Sequence, residues 1–260
     1  MFEKLESRHF FSGEILLLNE LHIGSGKGDG RTDALVIRDH RGQPFIPGSS
    51  LRGALRSTIE RIALSIGLDP CLLIADNPCV TTSKPLQKKF KELDVSDIPA
   101  FLTDISRVCP VCQLFGSTVA ASRIKISDLP LLNNFKFGIR DGVAIDRDTE
   151  TAKEGAKFDF ETVSKESKFN FELIGENLKP GHIALLAIGI QELTDGNFWL
   201  GGNTARGLGK CKLEGLEIKY FKGADGLKKY LIDKENGLDH LENSIFFHSI
   251  SKLFENLKAV

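Results

Sequence analysis

Apolar residues Phe11, Ile15, Leu16, Leu17 and Leu21 stand among polar neighbours between His9 and His22, a pattern that predicts a first strand. It empties into Gly24-Ser-Gly-Lys-Gly-Asp-Gly30. Each glycine costs about 1 kcal/mol relative to alanine inside a helix, so this stretch reads as a loop whose backbone can approach a ligand closely. Residues 34–39 form a second extended run, turn through residues 40–44 and return at residues 45–48. The clearest helix signal follows, with Leu51, Ala54, Leu55, Ile59, Ile62, Ala63 and Ile66 at helical spacing. Ser49 or Ser50 stands where an N-cap belongs, and Gly67, Asp69 and Pro70 end the helix.

Strand character resumes over residues 118–127, 168–174 and 211–221, and residues 182–193 are apolar enough for a buried helix. Residues 138–166 are polar and turn-rich with short alternating pieces, which predicts a protruding hairpin with its tip at residues 148–155. Residues 222–260 read as two short amphipathic helices. The regular order is strand, helix, strand, strand, helix, strand, the split βαβ order of an α+β, ferredoxin-like (RRM-like) domain. One such domain is expected over residues 1–221, with insertions at 68–118 and 138–166 and a helical extension at 222–260.

Composition narrows the class. Lys plus Arg number 34 against 35 Asp plus Glu, a net charge of −1, so any anion-binding face must come from local clustering. No run approaches the length of a membrane helix, and the first residues lack the apolar core of a secretion signal, so a cytoplasmic protein without membrane contact is expected. Five cysteines suit a reducing compartment better as metal ligands than as a disulfide framework. Cys109-x-x-Cys112 is a pair that can close on one tetrahedral ion, and Cys71 and Cys79 offer the second pair. A structural zinc with a closed four-thiolate shell is the expectation, with Lys84, Lys88, Lys89 and Lys91 forming a basic patch in the same insertion. Cys211 sits in a strand and is expected to be buried.

The glycine-rich loop fits neither familiar nucleotide fingerprint. Gly26-Lys27 is followed by Gly28 where a P-loop needs Ser or Thr, and an extended run follows where a dinucleotide site needs a helix. Gly48-Ser-Ser-Leu-Arg-Gly-Ala-Leu-Arg56 is more pointed: a helix start with hydroxyl side chains, with Arg52 and Arg56 on one flank, has the makings of an anion site. A second glycine turn carries Arg206 inside Gly201-Gly202 and Gly207-x-Gly209. Two glycine-rich, arginine-bearing turns in one such domain suit contact with a phosphodiester backbone.

With these residues in view the chain resembles the RAMP superfamily of CRISPR proteins. The resemblance runs over about residues 8–221. It rests on the stretch from Leu21 to Arg56, on Cys109-Pro-Val-Cys-Gln-Leu-Phe-Gly116, on Ala121-Ser-Arg-Ile-Lys-Ile-Ser-Asp128, on Gly142-Val-Ala-Ile-Asp-Arg-Asp148 and on Gly202-Asn-Thr-Ala-Arg-Gly-Leu-Gly209. Within the superfamily it is most similar to the Cas-seven backbone subunits of type III effectors, including the zinc-bearing type III-D and III-E kinds. That resemblance implies copies stacked along a CRISPR RNA beside other effector subunits, with complementary target RNA bound along the stack. Guide contacts would fall to Gly24, Gly26, Ser49, Ser50, Arg52, Arg56, Gly201, Gly202, Arg206, Gly207 and Gly209. Hairpin 138–166 matches the thumb that wedges the guide–target duplex, with Val143, Ile145, Arg147 and Phe158 as its working residues. Asp33 matches the position at which catalytic members cut target RNA with Mg²⁺ or another divalent ion, while other members are inert scaffolds. A guide-processing endoribonuclease of the same superfamily is the alternative, and it would need His22 as an acid–base group.

Overall fold

The computed structural model describes residues 4–73, 79–104, 106–234 and 236–258. Residues 74–78 and 105 of the cysteine-bearing insertion, and the last two residues of the C-terminal extension, lie outside the described residues.

The first strand, β1 (Ser7–Leu17), turns Phe11, Ile15 and Leu17 into the core. It ends earlier than the hydrophobic run suggested, because Leu21 exchanges backbone hydrogen bonds with Val163 of the hairpin rather than continuing the sheet. Residues 34–39 do not form a continuous strand either. Ala34 bridges Phe160, Val36 bridges Gly24 and Arg38 bridges Pro44, so the run spends its hydrogen bonds on three different neighbours. Strand β2 (Phe45–Ile46) leads into helix α1 (Gly48–Ser65), which buries Leu51, Leu55, Ile59 and Ala63 on one stripe. Each fully buried Leu or Ile contributes about 1.5–3 kcal/mol relative to exposure.

The helix start corrects one expectation. Pro47 occupies the N-cap and neither serine caps; the Gly48 N–H instead donates to Asp128 Oδ1 at 2.8 Å. A carboxylate from a distant part of the chain thus satisfies the helix N-terminus.

The insertion folds as three short helices, α2 (Lys84–Lys91), α3 (Ile98–Thr103) and α4 (Pro110–Phe115). Strand β3 (Ile124–Ile126) is shorter than the alternation suggested. The Ser117 hydroxyl accepts the N–H groups of Val119 and Ala120, holding that stretch in a turn. After β4 (Leu129–Pro130) come β5 (Phe137–Ile145) and β6 (Ala152–Val163), a separate two-stranded hairpin. Next are β7 (Lys168–Glu176), helix α5 (Pro180–Thr194), β8 (Phe198–Trp199) and β9 (Lys210–Lys222). The C-terminal stretch forms α6 (Gly223–Ile232), β10 (Asp239–His240) and α7 (Asn243–Lys258).

The main sheet is antiparallel in the order β10-β9-β1-β7-β3, with β8 added to β9. Phe11 stands opposite Leu173 on one side and Ile218 on the other, and Ile15 lies opposite Phe169 and Leu213. These inward residues join the apolar stripes of α1 and α5 and the cysteine knuckle in one core. The C-terminal stretch is part of that core: Phe246 of α7 is 1% exposed and its ring lies 5.4 Å from that of Phe11.

Candidate nucleic-acid interface and metal centre

Three segments meet at the root of the hairpin: the glycine-rich loop after β1, the end of β6, and the glycine turn between β8 and β9. His22 lies at their junction. Its Nδ1 is 2.7 Å from the Glu161 carbonyl, its ring packs edge-on to Phe160, and its carbonyl accepts the Gly202 N–H. The ring is buried, leaving it poorly placed to act on a bound polynucleotide. Glu161 ties the same corner, accepting from the Val36 N–H and from Arg38 at 2.5 Å.

The glycine turn needs its glycines. Gly201, Gly207 and Gly209 have φ of +75°, +84° and +80°, and a Cβ on Gly201 or Gly209 would meet the carbonyl of His22 or Leu200. A short 3₁₀ turn at Thr204–Arg206 lifts Arg206 into solvent, where its guanidinium has no partner among the described residues. Gly24 and Gly26 are likewise exposed. This turn and the loop are thus joined through His22.

Asp33 is exposed at the hairpin root and is doubly anchored. Its Oδ2 accepts the Asp159 N–H at 2.9 Å, and its own N–H donates to Asp159 Oδ1 at 2.9 Å. Each carboxylate keeps a second oxygen beyond this reciprocal pair. Asp159 was not foreseen, because nothing in sequence spacing links residues 126 apart. Farther along the hairpin, Ile139, Val143 and Ile145 are exposed on β5, Phe158 is 37% exposed on β6, and Arg147 stands exposed in the connecting turn.

The cysteines converge as expected. The sulfurs of Cys71, Cys79, Cys109 and Cys112 lie within 4.8 Å of one another, all four buried, with Cys71 and Cys112 3.6 Å apart. A disulfide needs sulfurs at about 2.05 Å, whereas thiolates about 2.3 Å from one zinc stand roughly 3.8 Å apart. The donor set and spacing therefore fit a tetrahedral metal. Hydrogen bonding with Cys109 and then with Cys71 pushes the Cys112 thiol down. Cys211, by contrast, is buried alone, which pushes its thiol up to about 12.

Arg52 and Arg56 of α1 turn toward this knuckle. Arg52 donates to the Phe115 carbonyl at the end of α4. Arg56 pairs with Glu60 at 2.8 Å, reaches the Gly116 carbonyl at 3.5 Å and donates to Cys112 Sγ at 3.3 Å. Both arginines of the expected anion site thus bond to protein acceptors in this structure. Asp128 holds the Gly48 N–H, Ser49 is exposed, Ser50 is half-buried, and Arg56 is satisfied inside the protein.

Residues 14–212 match the RAMP superfamily, and the chain belongs to that superfamily. Its curated relatives include the CRISPR system Cms endoribonuclease Csm3 of Methanocaldococcus jannaschii, 27% identical over 274 aligned positions that cover 93% of this chain and 94% of the relative. The protein of the same name from Methanothermobacter thermautotrophicus is 39% identical over 61 residues, a local match to 22% of this chain and 25% of that protein. No helix among the described residues is long and apolar enough to cross a membrane.

Proposed function

We propose that this chain is the backbone subunit of a type III CRISPR effector, stacking in several copies along CRISPR RNA, binding complementary target RNA and cutting it at a regular spacing. The observation that carries this reading is an exposed, backbone-anchored Asp33 at the root of a projecting hairpin, one segment away from two glycine-rich turns. Similarity along nearly the whole length to a protein named as an endoribonuclease supports it. The strand order β9-β1-β7-β3, with α1 and α5 as the two crossovers, supports a ferredoxin-like palm. The hairpin then serves as the thumb, its exposed Val143, Ile145 and Phe158 offering apolar surface to unstacked bases and Arg147 a charge at the tip.

In this reading Arg206 and the backbone around Gly201, Gly202, Gly207 and Gly209 hold guide phosphates, together with Gly24, Gly26 and the exposed Ser49. Arg52 and Arg56 contribute by building the wall beside that surface. The four cysteines hold a structural zinc that fixes the insertion, since a closed thiolate shell leaves no position for water. At the hairpin root, the Asp159 side chain holds the Asp33 backbone, and the Asp159 N–H holds one oxygen of the Asp33 carboxylate. The other oxygen of each carboxylate lies outside this reciprocal pair and is left as an acceptor. A divalent cation bound there would supply charge neutralisation at the scissile phosphate. The burial of His22 favours this over a guide-processing enzyme working through that histidine.

Reconstituting the complex with guide, labelled complementary RNA and Mg²⁺ tests the reading. Cuts are expected at a six-nucleotide period, with a DNA target resistant. Asp33→Ala is expected to abolish cutting while leaving target affinity nearly intact. A wild-type complex that binds target RNA and never cuts it identifies a scaffold. Cutting by Asp33→Ala at the wild-type rate removes Asp33 from the site.

A further inference from the structure

Four thiolates on one zinc carry a net charge of about −2 into the core, and such charge is stabilised by N–H and O–H donors aimed at sulfur. In this knuckle the backbone also supplies a donor: the Cys112 N–H points at Cys109 Sγ, 3.5 Å away. Leu72 and Leu73, directly after Cys71, take φ of +48° and +57°, an uncommon conformation for leucine. Cys112 is served differently. Among the described residues its partners outside the four cysteines are side chains: the Arg56 guanidinium donates at 3.3 Å, and the Thr81 hydroxyl lies 3.2 Å away, where it becomes the donor once Cys112 is a thiolate.

Arg56 cannot wander from this position. Glu60, one turn along α1, fixes its Nε, and the Gly116 carbonyl at the end of α4 takes Nη1. Its side chain is 14% exposed. Thr81 is held by its place two residues after Cys79, whose sulfur lies 3.7 Å from the same hydroxyl.

We propose that Arg56 and Thr81 are the outer-sphere donors that keep Cys112 as a metal-bound thiolate, making helix α1 a working part of the metal knuckle. The proposal rests on reading the four cysteines as a zinc site. It assigns Arg56 a positioning role at the metal in place of a phosphate contact. It also makes the helix that carries the arginine motif and the insertion that carries the cysteines a single unit, because their link is a side chain on sulfur rather than apolar packing alone.

The test uses the whole chain, loaded with zinc and titrated against a chromophoric chelator, with metal content measured first. Arg56→Gln and Thr81→Val are each expected to weaken zinc binding about tenfold, and the double variant more, in line with the 10- to 100-fold cost of losing outer-sphere partners. Arg56→Lys should recover part of the loss, since an ammonium can still donate. Arg61→Gln, an exposed position on the same helix, should change nothing, which separates a direct bond from helix charge. Cobalt substitution adds a spectroscopic signature: the thiolate-to-metal charge-transfer band should move in Arg56→Gln and Thr81→Val but not in Arg61→Gln. Limited alkylation should then mark Cys112 first in the two variants. If Arg56→Gln folds poorly because it strands the buried Glu60, Thr81→Val carries the same measurements. Zinc affinity within about twofold of wild type in a folded Thr81→Val, with an unmoved cobalt band, overturns the proposal while the zinc reading stands. A wild-type chain that binds no zinc overturns both.

Discussion

Two glycines of the turn between β8 and β9 offer a controlled perturbation. Gly207 and Gly209 both have strongly positive φ, +84° and +80°. A Cβ on Gly207 meets nothing within 4 Å, whereas one on Gly209 would run into the Leu200 carbonyl. Gly207→Ala should therefore cost only the left-handed conformation, about 1–2 kcal/mol. Gly209→Ala carries that same cost and must also move the chain. The shift sacrifices the bond from the Leu200 N–H to the Gly209 carbonyl at 2.9 Å and from the Gly209 N–H to the Glu20 carbonyl at 2.7 Å. At about 1 kcal/mol for each backbone bond, the total is roughly 3–4 kcal/mol. With about 2–4 °C of melting temperature per kcal/mol for a chain of this size, Gly207→Ala should fall by roughly 3–6 °C and Gly209→Ala by about 10 °C. Thermal melts of the two variants, followed by circular dichroism, measure the difference. Equal losses would show that the Leu200 contact is relieved without cost and that the turn is held only by its dihedrals.

Acid should destabilise the protein through two buried histidines. Burial first, then Lys222, pushes His9 down to about 4, and burial first, then Arg123 and Lys179, pushes His182 down to about 3. Both stay neutral in the folded chain while the unfolded chain protonates near 6.5, so stability falls as pH drops from 6.5 toward these values. The loss is of order 2 kcal/mol for each at pH 5. His182→Gln should remove about half of that acid slope in denaturant melts, and an unchanged slope would exclude His182 as its source. At the hairpin root, Asp159→Asn keeps an acceptor for the Asp33 N–H, whereas Asp159→Ala does not. Target cutting should survive far better in Asp159→Asn, and equal rates in the two variants would dismiss Asp159 as the residue that positions Asp33.

Local periodicity alone specified the elements with long, unambiguous repeats. Leu51, Leu55, Ile59 and Ala63 mark α1, Phe169, Phe171 and Leu173 mark β7, and the core face of each was readable because local spacing dictates which side chains share a face. The grouping of the four cysteines was legible too, since a Cys-x-x-Cys step with a second pair nearby is a common metal-ligand pattern. Legibility stopped where polar partners come from far along the chain. No spacing rule places Asp128 on the start of α1, Asp159 on Asp33, or Arg56 on Cys112, 56 residues away. Charge on a helix flank is compatible with solvent, phosphate or sulfur. Only the packing of α4 against α1 decides among them, because a guanidinium shielded from water must spend its donors on the acceptors that tertiary structure brings within reach.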